Sequence, residues 1–157
     1  MIDIYDFIEA AKAHELLSTL EPRHMEKLLG LAKEVRFGQG EVILRAGSKP
    51  DCLYFLLAGK IALEIVAPRR CFVVQTVKAG NALGWSALMD RTAGDPLQAR
   101  CLEPIRALAF EGAQLRAACE SDPGFGYSMT KLVLGVAADC NLGLIALLSG
   151  DHHPIAV

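Results

Sequence analysis

Gly80-Asn81-Ala82-Leu83-Gly84-Trp85-Ser86-Ala87-Leu88 is the stretch whose reading decides the fold. Two glycines bracket a short apolar step, and the second runs straight into an aromatic, a hydroxyl and a small-apolar pair. That pattern predicts a tight turn opening a short helical segment, because glycine takes φ > 0 without a steric cost. Outward from it, short apolar and β-branched runs are closed by similar residues. Upstream lie Gly40-Glu-Val-Ile-Leu-Arg-Ala-Gly47, Leu53-Tyr-Phe-Leu-Leu-Ala-Gly59 and Ile61 to Val66, with Cys71 to Val77 leading into the turn; Ile105 to Phe110 follows it. Turns are expected at Gly38-Gln-Gly40, Gly47-Ser-Lys-Pro50 and Ala67-Pro-Arg-Arg70. Many short strands at even spacing over residues 35–110 predict a β-sandwich or jelly roll.

Helical periodicity brackets the strands. Residues 4–34 place Ile4, Phe7, Ile8 and Ala11, then Leu16, Leu17 and Leu20, at helical intervals. A further helix starts after Thr19-Leu-Glu-Pro22, with proline in the first turn where its missing N–H costs nothing. Residues 111–149 return to helix, with a short segment around Leu115, a break at Asp122-Pro123-Gly124 and a long helix from about Gly126 to Leu148. The expected class is α+β. Residues 1–149 form one domain and 150–157 a flexible tail.

This order of elements resembles the cyclic-nucleotide-binding domain, the sensor half of catabolite-activator-type regulators and of some kinases and channels. The resemblance runs from about Leu16 to about Leu148. It implies an N-terminal helical piece, an eight-stranded antiparallel roll, a short helix and a long terminal helix. It also implies a phosphate cassette at the Gly84 turn. In the family, a Gly-Glu step opens a short helix whose amides face the cyclic phosphate. The Glu binds the ribose hydroxyl, and an Arg about ten residues on neutralises the phosphate. Here Gly84 matches the glycine, and Ala87 and Leu88 match the end of the cassette helix. Trp85 stands in place of the Glu, and the Arg position falls on Asp95, Pro96 or Leu97. Gly84-Trp-Ser-Ala-Leu and the stretches Ala99–Ala107 and Glu111–Tyr127 look like stand-alone bacterial members with Gly-Trp-Ser in place of Gly-Glu.

A phosphodiester entering a partly dry pocket needs a charge-assisted partner, and bidentate Arg is the strongest available. Indole has no acceptor and fills the ribose space. Arg91 and Arg100 are the basic side chains placed to compensate, and the backbone donors at Gly84, Trp85, Ser86 and Ala87 survive any side-chain change. Ser86 reads as a helix cap.

Other functions find little support. The net charge is -2 with sixteen basic and eighteen acidic residues, giving no bias toward nucleic acid. Five cysteines without CxxC spacing read as reduced thiols in a cytoplasmic protein. The four histidines lie outside the strand region, so a cupin-like metal site cannot assemble. No P-loop, nucleophile elbow or dinucleotide fingerprint occurs, so neither catalysis, cofactor nor metal is expected. Nor is a DNA-binding domain, for which the residues after Leu148 are too few. A mean hydropathy of +0.31 is concentrated in Leu132–Leu148; Asp139 and Asn141 interrupt that run, so a buried or dimer-forming helix is expected, with no membrane span.

Met129, Val133, Val136, Cys140, Gly143 and Leu147 follow alternating four- and three-residue steps, a seam for knobs-into-holes packing. Residues 126–148 are therefore expected to pair two copies, with Leu132, Leu134, Leu142, Leu144 and Ile145 covering the roll. The resemblance implies the same pairing. The preferred reading of function is a non-enzymatic regulatory or ligand-sensing module with a degenerate nucleotide site, taking at most a small anion or nucleotide. A genuine cyclic-nucleotide receptor using Arg91 or Arg100, and a scaffold that binds a protein partner through Trp85 and the apolar helix, remain open beside it.

Overall fold

The first strand, β1 (Lys33–Phe37), starts two residues earlier than the periodicity suggests, because Lys33 and Glu34 pair with Ala109 and Leu108 instead of extending the helix before them. The computed structural model describes residues 4–90 and 94–149, apart from the side chains of Ile4, Phe7 and Leu147. Helices α1 (Ile4–Ala13) and α2 (Pro22–Leu29) precede the strands, with a 3-10 turn at Leu17–Thr19 between them. The strands are β2 (Val42–Leu44), β3 (Cys52–Ala58), β4 (Lys60–Ala67), β5 (Arg70–Lys78), β6 (Ala82–Leu83), β7 (Leu97–Cys101) and β8 (Ile105–Glu111). Helices α3 (Gly112–Ser121) and α4 (Pro123–Leu148) close the chain. The expected break at Asp122-Pro123-Gly124 narrows to Asp122, whose extended backbone separates α3 from α4, so the long helix starts at Pro123 and not at about Gly126. Asp122 caps α4 by accepting from the Phe125 amide at 3.1 Å, and Pro123 occupies the first helical position.

The strands form two four-stranded sheets, ordered β1-β8-β3-β6 and β2-β7-β4-β5, with every pair antiparallel. The class is α+β, with a β-roll between helices. Two apolar cores result. One lies between the sheets, where Leu56, Leu83, Ile105 and Ala107 of the first sheet meet Ile61, Leu63, Val77, Leu97 and Ala99 of the second. The other lies on the outer face of the first sheet, where Leu53, Phe55, Leu108 and Phe110 meet Leu28, Leu115, Phe125 and Met129 from the helices. Both faces of β3 and β8 are therefore dry, which is why Leu53–Leu57 reads as an unbroken apolar run and not as an alternation. Phe55 and Phe110 meet edge-to-face at 5.5 Å in the helical core.

His14 joins the N-terminal helices to the loop before β6. It is 4% exposed; its Nδ1 accepts from the Leu16 and Leu17 amides at 3.2 and 3.4 Å, which leaves Nε2–H to donate to the Asn81 carbonyl at 3.3 Å. Burial holds the imidazole below its ordinary value of 6.5, against weaker opposing hydrogen bonds. Below pH 6.5 the unfolded chain therefore takes up a proton that the folded chain refuses. Urea-unfolding midpoints are expected to stay level above neutrality and to fall as pH drops through 6.5 toward the folded-state value. His14→Gln should flatten that decline. A decline of equal steepness in the variant assigns it to other groups.

Candidate functional site

The Gly84 turn is built as a left-handed step. Gly84 has φ 79° and ψ 30° and precedes a 3-10 turn over Trp85–Leu88. A Cβ there would meet the carbonyl oxygen of Cys52 on β3, so the turn is wedged against the sheet. The Ala87 amide bonds the Gly84 carbonyl at 3.0 Å. Ala87 is fully buried, and its carbonyl accepts from a terminal nitrogen of Arg116 on α3. Arg116 thus anchors the turn to the helix behind it. Sequence reading missed this residue, because no motif marks an Arg whose task is one backbone carbonyl. Ser86 is not the cap: Gly84 holds that position, and the Ser86 hydroxyl is buried without a partner.

Between this turn and the inner face of the second sheet lies a cavity of about 30 Å³. Trp85, Leu97, Leu63, Gln75 and Asp95 wall it, with Val136 and Cys140 closing it from α4. That volume admits a water or two, whereas ligand pockets run to about 300–1,000 Å³. Trp85 is half-buried and packs against the helical core. Of Asp95, Pro96 and Leu97, on which the family's Arg position falls, Asp95 and Leu97 line the cavity, and neither is basic. One Asp95 carboxylate oxygen accepts the Leu97 amide at 3.0 Å at the start of β7. Across the cavity, burial pushes the Cys140 thiol above its ordinary value, and the Asp95 charge adds to the shift. The Gln75 side-chain oxygen, also on the wall, is buried without a partner.

Arg100 does not serve this cavity. On β7, Leu97, Ala99 and Cys101 face inward, so Arg100 takes the alternate, outer face. There its Nε lies 3.5 Å from buried Glu64, and a terminal nitrogen donates to the Gly40 carbonyl at 3.4 Å. Gln98 donates to the other Glu64 oxygen at 3.0 Å. Arg91 lies outside the described residues.

The α4 seam also turns inward. Met129 is fully buried, Val133 and Cys140 are 6% and 9% exposed, and Val136 packs on the helical core. Gly143 lies against Val74 and Gln75 of β5. The Leu147 side chain lies outside the described residues. Of the leucines expected to cover the roll, Leu132 and Leu144 do so, while Leu134, Leu142 and Ile145 face out at 67%, 63% and 51%. The seam expected to face a second copy packs inward, and the residues expected to cover the roll divide between the two faces, since a helix apolar nearly all round carries no stripe to orient it. By length and composition Pro123–Ala146 would suffice to cross a bilayer. Its inner face, however, is built into both cores, and would have to be stripped from them to enter lipid.

A β-roll whose short turn-and-helix segment faces the inner wall of the second sheet, closed by a long helix, defines a class of sensor domain. The sequence profile of the cyclic nucleotide-binding domain matches residues 34–122, more than half of the chain, and the chain belongs to that family. No curated protein sequence matches it. Among solved structures, a cyclic nucleotide-binding domain from Methylobacillus flagellatus superposes with a TM-score of 0.78 at 14% identity, covering 92% of this chain and 84% of that one. The N-terminal domain of a transcriptional regulator from Streptomyces coelicolor gives 0.67 at 20%, covering 84% and 94%. The regulatory subunit of a cAMP-independent protein kinase A from Trypanosoma cruzi, bound to guanosine, gives 0.63 at 15%; 83% of this chain covers 50% of that one. At these identities the likeness is one of fold.

Proposed function

We propose that this chain is a non-enzymatic regulatory module whose nucleotide pocket is filled by its own side chains and whose signalling surface is α4. The observation that carries the reading is the cavity of about 30 Å³, walled by Asp95 and Leu97 with no basic side chain among its described lining residues. A cyclic nucleotide would have to displace Trp85 and Leu97 from apolar contact, at about 1.5–3 kcal/mol for each large side chain. Its phosphate would then face Asp95, a repulsion of about 4 kcal/mol at 4 Å in a protein-like medium. The Gly84 turn offers backbone amides against these two costs, which is too little to offset them.

Calorimetric titration with cyclic AMP, cyclic GMP, a cyclic dinucleotide and guanosine tests the reading. No saturable heat is expected from any of them. Guanosine separates the two obstacles: it escapes the Asp95 charge but still needs the volume. Low-micromolar binding of a cyclic nucleotide, about -8 kcal/mol, would overturn the proposal and turn attention to Arg91. The output surface is the outer face of α4. Leu134, Ala138, Asn141, Ile145 and Leu148 recur there at three- and four-residue steps. A second copy of this helix is the partner that such a self-complementary stripe fits.

A further inference from the structure

We propose that the cleft between the N-terminal ends of α2 and α4 binds the phosphoryl group of a small phosphate monoester. The two helices bring their positive ends to one cleft of about 540 Å³, lined among others by Arg23, His24, Gly124, Ser128 and Lys131. Each helix begins with a proline, so its first free amide lies one residue deeper, on Arg23 and on Gly124. Asp122 takes the Phe125 amide with its carboxylate and the Gly126 amide with its carbonyl; neither bond uses the Gly124 amide. Gly124 has no side chain to block the approach. At the point a Cβ would occupy, a terminal nitrogen of Arg23 is 3.1 Å away, the Asp122 carboxylate oxygen that accepts the Phe125 amide is 3.5 Å away, and Nε2 of His24 is 3.8 Å away.

His24 is the independent sign of a ligand. It is 4% exposed, lies edge-on to Phe125 at 5.9 Å and holds the Ser128 hydroxyl through Nδ1 at 2.9 Å. Its Nε2 is buried with no partner, 3.8 Å from the point a Gly124 Cβ would occupy and on the same side as the Arg23 terminal nitrogen. A buried ring nitrogen is normally satisfied, and a phosphoryl oxygen seated over Gly124 would satisfy this one. The carboxylates nearby are already engaged. Glu21 lies 3.6 Å from Arg23 Nε, and the second oxygen of Asp122 takes Lys27 at 3.3 Å. The Phe125 amide first, and then Lys27, hold the Asp122 carboxyl below its ordinary value. Lys131 stands over the Tyr127 ring at 5.6 Å and supplies a second fixed positive charge at the rim. Two cations, two helix ends and an imidazole suit a dianion, while Leu20, Leu132 and the Tyr127 ring give its organic body an apolar wall. Gly124 stands ~24 Å along α4 from Cys140, so this site does not rest on the reading of the Gly84 cavity.

The test is a titration of the ¹⁵N-labelled full chain, following the His24 ring nitrogens and the Gly124 amide. Phenyl phosphate, inorganic phosphate and phenol are the probes. Phenyl phosphate should shift both signals saturably, more tightly than inorganic phosphate, and phenol should shift neither. The exposed variants Arg23→Gln and Lys131→Gln should each weaken phenyl phosphate about tenfold, the loss of one charge-assisted contact. Gly124→Ala should weaken it further by occupying the seat. Equal binding of inorganic phosphate overturns the monoester assignment. Unsaturable shifts, or affinities unchanged in both charge variants, overturn the site itself.

Discussion

Met129→Ala is expected to lower the unfolding free energy by about 2–5 kcal/mol, the cost of a methionine-sized hole in a core that cannot collapse around it. Met129 is fully buried between Phe125, Leu115 and the outer face of the first sheet, so truncation leaves its neighbours without contact atoms. The expected outcome for Met129→Glu is an unfolded chain, because a carboxylate there has neither water nor a partner. Leu134 lies one turn and a half further on, 67% exposed, and the opposite result is expected. Leu134→Glu should keep the far-UV spectrum and cooperative unfolding of the unaltered chain while converting a dimer to a monomer by light scattering. An unchanged unfolding midpoint in Met129→Ala would place the seam outside the core. A monomeric unaltered chain at micromolar concentration would remove the helix pair.

Gly84→Ala is the second large effect. An alanine held at φ 79° costs about 1–2 kcal/mol in backbone energy alone. Its methyl would also meet the Cys52 carbonyl on β3, an atom fixed by the sheet, so the turn must move as a whole. A loss of about 2 kcal/mol or more is expected from denaturant titration. Gly135→Ala is the matched control with the opposite sign. It sits mid-helix with open space where its Cβ would go, and should gain about 0.5–1 kcal/mol from helix propensity. Equal effects from the two substitutions would mean that the Gly84 turn is not strained against β3.

Much of this protein was legible in the order of its residues. The strand-length runs from Val42 to Val77 and from Ile105 to Phe110 fall inside β2 to β5 and β8, because chain reversals demand residues that tolerate a tight turn and strands demand β-branched and apolar ones. The Gly84 turn and the lack of a basic residue at Asp95, Pro96 and Leu97 were readable as local chemistry. So was Pro22 at the head of α2.

What the sequence could not decide was direction. Arg100 looked free to serve the pocket, but strand parity places it on the outer face beside Glu64, and parity depends on which neighbours face inward. Asp122-Pro123-Gly124 reads as a break, and the helix does break at Asp122, but Pro123 and Gly124 already belong to the helix that follows. The apolar residues of α4 run nearly all round it, so periodicity alone left two stripes of equal standing. Only the sheet beneath chooses between them, by taking Met129, Val133 and Cys140 and leaving Leu134 and Ile145 outside. The cleft holding Arg23, His24 and Lys131 joins residues about a hundred positions apart. Local pattern records which side chains a segment has; which of them meet is set by the burial of surfaces contributed by distant segments.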